Sequence, residues 1–153
     1  MITENKRISD DALIARARAT LKPRRINPAI DVGGVAAALL SGSGQVYIGV
    51  CIDASCSLGF CAEHAAIANM LSHGEDVIDT IVAVKGDGYV LPPCGRCREF
   101  IYQLDPEHGK TRVLLGARAG SGAEGGIVVK TIRSLMPDYW RDAIDLSAAE
   151  ALV

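Results

Sequence analysis

The sequence predicts an α/β sandwich. Two apolar runs joined by a glycine–serine turn read as a leading hairpin, and after them strand-like and helix-like segments alternate, the pattern of a sheet covered by helices. At 153 residues the chain suits one domain, residues 1–153, able to bury roughly 70% of its unfolded surface. An apolar fraction of 49% against 22% charged excludes disorder as a description of the whole chain.

Ser9 followed by Asp10 and Asp11 is a helix start. Residues 12–21 carry Leu13, Ala17 and Leu21 as one apolar stripe among arginines, and Pro23 ends that helix. Residues 35–40 form a small-apolar run closed by Ser41-Gly42-Ser43-Gly44, and residues 46–52 resume with β-branched and aromatic side chains; together they are the hairpin. Residues 53–60 have no period and are expected to loop into a second helix. That helix turns Ala62, Ala65, Ala66, Ile67, Met70 and Leu71 toward a core and stops at Gly74. Residues 80–84 are a buried strand. After Pro92-Pro93, residues 95–104 fit a third helix with Phe100, Ile101 and Leu104 inward. Residues 112–115 and 126–129 are short strands around a glycine-rich loop at 116–125 that lacks the lysine of a phosphate-binding loop. A short helix at 131–136, Tyr139 and Trp140 as tail packing or interface, and a Ser147-capped turn complete the chain.

A net charge of -2 and a pI near 5.9 supply no field for a polyanion. Lys22, Arg24 and Arg25 read as a solvated helix end. Nucleic acid is not expected as a partner. Neither is a membrane, since no window reaches the ~20 apolar residues a span needs. The polar start, Met1 to Arg7, is not a signal peptide. A reducing cytoplasm is therefore expected, where five cysteines point to metal or catalysis rather than a disulfide framework.

Two stretches carry the chemistry. Cys61-Ala62-Glu63 opens the second helix, and Pro93-Cys94-Gly95-Arg96-Cys97 opens the third. Zinc accepts thiolates readily, and a hydrolytic site keeps three protein ligands and one water. Helix N-termini favour thiolate over thiol, and the spacing of Cys94 and Cys97 puts both sulfurs on one side of a turn. Glu63 is placed to carry protons. His64, Arg96 and Arg98 are the local groups that offset the negative charge of a three-thiolate centre. The same cysteines also admit a structural zinc clip with Cys51 or Cys56 as fourth ligand, or a redox dithiol at Cys94 and Cys97. Outside those roles, Cys51 and Cys56 are small buried hydrophobes, and His73 and His108 face solvent.

Cys61-Ala62-Glu63 followed by Pro93-Cys94-Gly95-Arg96-Cys97 resembles the zinc-dependent cytidine deaminase superfamily. The all-cysteine form resembles its small free-nucleoside branch, which includes blasticidin S deaminase. Residues 35–40 and the late Leu135-Met136-Pro137-Asp138-Tyr139 are similar to segments of that branch. The resemblance implies a three-layer α-β-α sandwich with a five-stranded mixed sheet. It implies one Zn2+ per subunit on Cys61, Cys94 and Cys97, Glu63 as proton shuttle, and Cys51, Asp53 and Ala62 along the substrate. His64 and Arg96 then stand behind the ligands. It further implies a small nucleoside substrate, a homotetramer whose neighbouring subunits complete the pocket, and hydrolysis of a cytosine nucleoside to its uracil form with release of ammonia. Some positions depart from the family. Its Asn-x-Glu ribose grip is Cys51-Ile52-Asp53 here, its stacking aromatic falls near Gly33, and its arginine after the glutamate is His64. Arg96 is closer to the blasticidin-type pattern. Blasticidin S or another modified cytosine nucleoside is the alternative substrate, and a non-catalytic zinc-stabilised binding protein is the alternative of another class.

Overall fold

The computed structural model describes residues 7–105, 109–117 and 126–143. Helix α1 (Asp10–Thr20) begins where Ser9 accepts the Ala12 N–H at 3.2 Å, with Asp10 and Asp11 in its first turn. Strands β1 (Arg24–Asn27), β2 (Ile30–Ser41) and β3 (Val46–Ala54) follow, then α2 (Ala62–Ser72), β4 (Ile78–Lys85), β5 (Val90–Leu91), α3 (Gly95–Leu104), β6 (Arg112–Gly116) and β7 (Ile127–Thr131).

Among the described residues the sheet contains seven strands, not five, yet its width is the expected one. β3, β2, β4, β6 and β7 lie side by side, with β4 and β6 parallel and the other neighbours antiparallel. The two extra strands are short extensions. β1 pairs with β2 over residues 30–32, just before β4 takes up β2 from Val35 onward, and β5 pairs with the end of β4 beyond β6. Sequence reading missed both because β1 is the charged, fully exposed Arg-Arg-Ile-Asn and β5 is two residues ahead of a proline.

The residues of β2 are sorted by their alternation. Ala36, Ala38 and Leu40 join Leu13, Ile14 and Ala17 of α1 on one face, while Ala37 and Leu39 join Ala66, Ile67 and Met70 of α2 and Ile101 of α3 on the other. Helices therefore cover both faces, the three-layer arrangement. On α2 the buried arc is Ala62, Glu63, Ala66, Ile67 and Met70. At 100° per residue Ala65 and Leu71 fall just beyond its two edges, which is why Leu71 is 40% exposed rather than inward.

The remaining differences lie at the ends of elements. β3 runs on to Ala54, and the stretch after it contains a 3₁₀ turn at Ser55–Ser57 with Cys56 and Ser57 both at positive φ. Ile52 and Phe60 close this loop with two backbone hydrogen bonds of 3.0 and 2.9 Å. The expected helix at 131–136 is instead the end of β7 and a 3₁₀ turn, Arg133–Leu135. Tyr139 is tail packing. It is buried edge-on against Tyr102 with centroids 4.4 Å apart, and its hydroxyl and the Trp140 indole N–H donate to one Glu99 oxygen at 3.0 and 2.9 Å. His108, Ser147 and most of the glycine-rich loop lie outside the described residues.

Helix α2 is seated on β3 at Gly49. A Cβ there would lie 2.3 Å from the Ala66 nitrogen and 2.7 Å from the Ala62 oxygen. Gly49→Ala is therefore expected to cost about 1–3 kcal/mol, the range for overpacking. Because the helix must lift off the sheet, it should also weaken metal binding, which denaturant titration and metal analysis would read out together.

Candidate metal centre and substrate cleft

Cys61 and Cys94 are the N-cap residues of α2 and α3, and in neither does the side chain cap its own helix. Both sulfurs are thus free to turn toward each other at the positive ends of two helices. The Cys61 and Cys94 sulfurs are 3.6 Å apart, and those of Cys94 and Cys97 are 3.5 Å apart. His64 Nδ1 lies 3.5 Å from the Cys97 sulfur, and donor atoms of Cys61, His64 and Cys97 all fall within 4.8 Å of one another. Ligands sharing one tetrahedral zinc stand about 3.8 Å apart for two sulfurs and about 3.6 Å for sulfur and nitrogen, from the usual bond lengths. The donor set and its spacing fit zinc.

Neither Cys51 nor Cys56 joins this donor cluster among the described residues. Cys56 is exposed on the 3₁₀ turn. Cys51 is buried as expected, but its sulfur accepts the Val35 N–H at 3.2 Å and lies 3.7 Å from an Asp53 oxygen. The structural clip with either as fourth ligand is thereby removed. Among the described residues Arg98 makes no hydrogen bond to the sulfurs. Its Nε donates to the Pro93 carbonyl at 2.9 Å and braces the loop that carries Cys94.

The protonation preferences follow from burial and mutual contact. Burial pushes the Cys61 thiol up, and burial followed by the Glu63 charge does so for Cys97. Burial also acts on Cys94, but hydrogen bonds from the Cys97 backbone and from the Cys97 and Cys61 thiols outweigh it and bring this thiol down. Glu63, only 6% exposed in the first turn of α2, has its carboxyl raised chiefly by desolvation. Burial, then the Arg96 charge, lowers His64 and keeps its ring neutral. That ring stacks on Phe100 with centroids 5.1 Å apart and planes at 27°.

Two of the three cysteines, Cys61 and Cys94, line a cleft of about 740 Å³ together with Glu63, Val35, Phe60 and Leu91. Cys51, Asp53 and Ala62, the residues expected along a substrate, line it too, as does Arg96, whereas Cys97 does not. His64 is not among the lining residues. Sequence reading did not find Phe60, Leu91 and Ser57 in the wall. Only their neighbourhood to the two motifs signals them, since Phe60 and Leu91 bear no polar group and a lone loop serine such as Ser57 has no motif around it.

Comparison with known proteins agrees with this geometry. The profile of the cytidine and deoxycytidylate deaminase zinc-binding region matches residues 9–111. A cytidine deaminase of Halalkalibacterium halodurans is 36% identical over 104 residues, 67% of this chain and 74% of that one. A blasticidin-S deaminase of Bacillus cereus is 37% identical over an 82-residue alignment covering 48% of this chain and 59% of that one. The crystal structure of cytidine deaminase from Burkholderia pseudomallei superimposes with a TM-score of 0.65 at 26% identity, covering 86% of this chain and 98% of that one. The chain belongs to the cytidine and deoxycytidylate deaminase family and is a zinc-dependent aminohydrolase of it.

Proposed function

We propose that this protein hydrolyses a cytosine nucleoside, cytidine or deoxycytidine first, to the uracil form with release of ammonia. The single observation that carries the reading is the meeting of the Cys61, Cys94 and Cys97 sulfurs beside one cleft whose wall includes Cys61, Cys94 and the buried Glu63. Cys61, Cys94 and Cys97 would hold the zinc. When bound, the metal supplies Lewis acidity and an activated water.

Glu63 takes one proton from the water and gives it to the ring nitrogen as the hydroxyl adds to the amino-bearing carbon. It then carries the proton of that hydroxyl to the amino group, which leaves as ammonia when its C–N bond breaks. Its burial raises the carboxyl toward the pH at which it can both accept and give a proton, the condition for efficient shuttling. The apolar wall of Val35, Phe60 and Leu91 keeps bulk water off the ring. The free N–H groups at the starts of α2 and α3 favour the anionic sulfurs. Arg96 on the cleft wall offsets part of the thiolate charge, whereas the neutral His64 ring offers the Cys97 sulfur only a contact at 3.5 Å. Asp53, whose carboxylate keeps acceptor capacity beyond its 3.7 Å contact with the Cys51 thiol, is the acceptor for a sugar hydroxyl where the family has Asn-x-Glu.

The blasticidin-S deaminase relative, together with that changed grip, favours modified cytosine nucleosides as the second reading. Ammonia release from cytidine, deoxycytidine and blasticidin S by the zinc-loaded protein decides between them. Turnover of the analogue alone would move the assignment, and no turnover of any would overturn the reading. Asp53→Ala is expected to raise KM by about tenfold, the loss of one sugar hydrogen bond to a charged acceptor at about 1.4 kcal/mol.

A homotetramer, which the family resemblance implies, completes the reading, and light scattering measures it. Residues 1–153 act as one deaminase domain. Cytoplasmic residence suits the five free cysteines, and among the described residues no helix is long and apolar enough to cross a membrane.

A further inference from the structure

Each of the two helices offers a pair of donors three residues apart, Cys61-Ala62-Glu63-His64 on α2 and Cys94-Gly95-Arg96-Cys97 on α3. Residues so spaced in a first turn face the same way. The sulfurs of Cys61 and Cys97 consequently belong to two overlapping triples. Cys94 completes one, at 3.6 Å from Cys61 and 3.5 Å from Cys97. His64 completes the other, at 3.5 Å from Cys97 and within 4.8 Å of Cys61.

The two completing residues differ in their surroundings. Cys94 is exposed and lines the cleft. His64 is half-buried, outside the cleft lining, and its ring is stacked on Phe100. A side chain held in place by packing can ligate without first being ordered, which is the usual requirement for a competent metal ligand. Imidazole nitrogen and thiolate sulfur are both ordinary zinc donors.

We propose that His64 is an alternative third ligand: Cys61 and Cys97 form the fixed pair of the metal centre, and His64 takes the third position whenever Cys94 does not. The fixed pair is the half of the cluster that both triples share. Cys97 is fully buried, and Cys61 is held at the start of the helix seated on Gly49. The exchange leaves the metal in the protein while it changes the ligand facing the substrate. The inference rests on the cysteines being the metal centre.

The test compares Cys61→Ser, Cys94→Ser, Cys97→Ser and Cys94→Ser/His64→Ala with the wild type, all loaded with zinc and dialysed. Metal per chain is measured together with zinc-edge X-ray absorption. Cys61→Ser and Cys97→Ser are expected to lose the metal. Cys94→Ser is expected to retain it, with two sulfurs and the scattering pattern of an imidazole in its first shell. Adding His64→Ala should then weaken binding by at least the ~10–100-fold that removal of even a supporting group costs. The proposal is overturned if Cys94→Ser empties as completely as Cys61→Ser. It is equally overturned if the double variant holds zinc as well as Cys94→Ser, or if no imidazole is seen. Circular dichroism verifies each fold, and Cys94→Ala repeats the comparison if the serine variant fails to fold or its hydroxyl ligates. A wild type that binds no zinc would instead overturn the metal-centre reading itself.

Discussion

Glu63→Gln is expected to lower turnover by about 10²–10⁴-fold, the contribution of a positioned acid/base, while zinc stays at one per chain. Glutamine keeps the shape and the hydrogen-bonding capacity of the side chain and removes only the ability to take and return a proton. The same substitution should raise the stability of the metal-free protein, with a predictable pH dependence. Burial raises the Glu63 carboxyl in the folded state. Its contribution is therefore most favourable below the ordinary carboxyl pKa and is lost as the pH rises through the raised value. Thermal melts of metal-free wild type and variant should coincide at the acid end and separate upward, with Glu63→Gln the more stable. Unchanged turnover in a zinc-loaded Glu63→Gln would remove this residue from the mechanism.

Removing the metal is the second large effect. Cys97→Ser, or chelation at mildly acid pH, is expected to abolish deamination and to lower the melting temperature. At a free zinc concentration a thousandfold above Kd, binding stabilises by about 4 kcal/mol, or about 8–16 °C for a chain of this size. Burial raises the Cys61 and Cys97 thiols, so in the metal-free protein they carry protons that zinc must displace. Affinity should accordingly fall steeply as the pH drops. Calorimetry in buffers of different ionisation enthalpy counts the protons released, and a pH-independent affinity would contradict thiolate ligation.

Much of this was legible in the residues because chemistry and local order coincide. The cap at Ser9, the limits of α3 and the hairpin about residues 41–44 carry turn and cap chemistry that needs no tertiary information. The thiolate-and-carboxylate motifs were readable for the same reason, since few other roles place Cys, Glu, Cys and Cys at those spacings. What escaped is decided by packing. Period alone cannot tell that the buried arc of α2 stops short of Leu71, or that a charged Arg-Arg segment is held as β1 by backbone pairing to residues 30–32. The 3.5 Å between the His64 ring nitrogen and the Cys97 sulfur has no sequence signal, because that distance exists only once α2 and α3 are docked. The part of the cleft made of Phe60 and Leu91 was silent because apolar walls have no signature of their own.

The seat of α2 on β3 carries a consequence for how the protein tolerates change. With the Ala66 nitrogen 2.3 Å from where its Cβ would be, residue 49 has no side chain to vary. Its separation from β3 sets how far Cys61 and Glu63 stand from the cleft wall. A screen of random variants for lost deamination should therefore return a cluster at a residue with no chemistry, twelve positions ahead of the first cysteine of the site. Among homologous chains, drift in helix α2 would have to pass through that backbone contact before it could reach the metal.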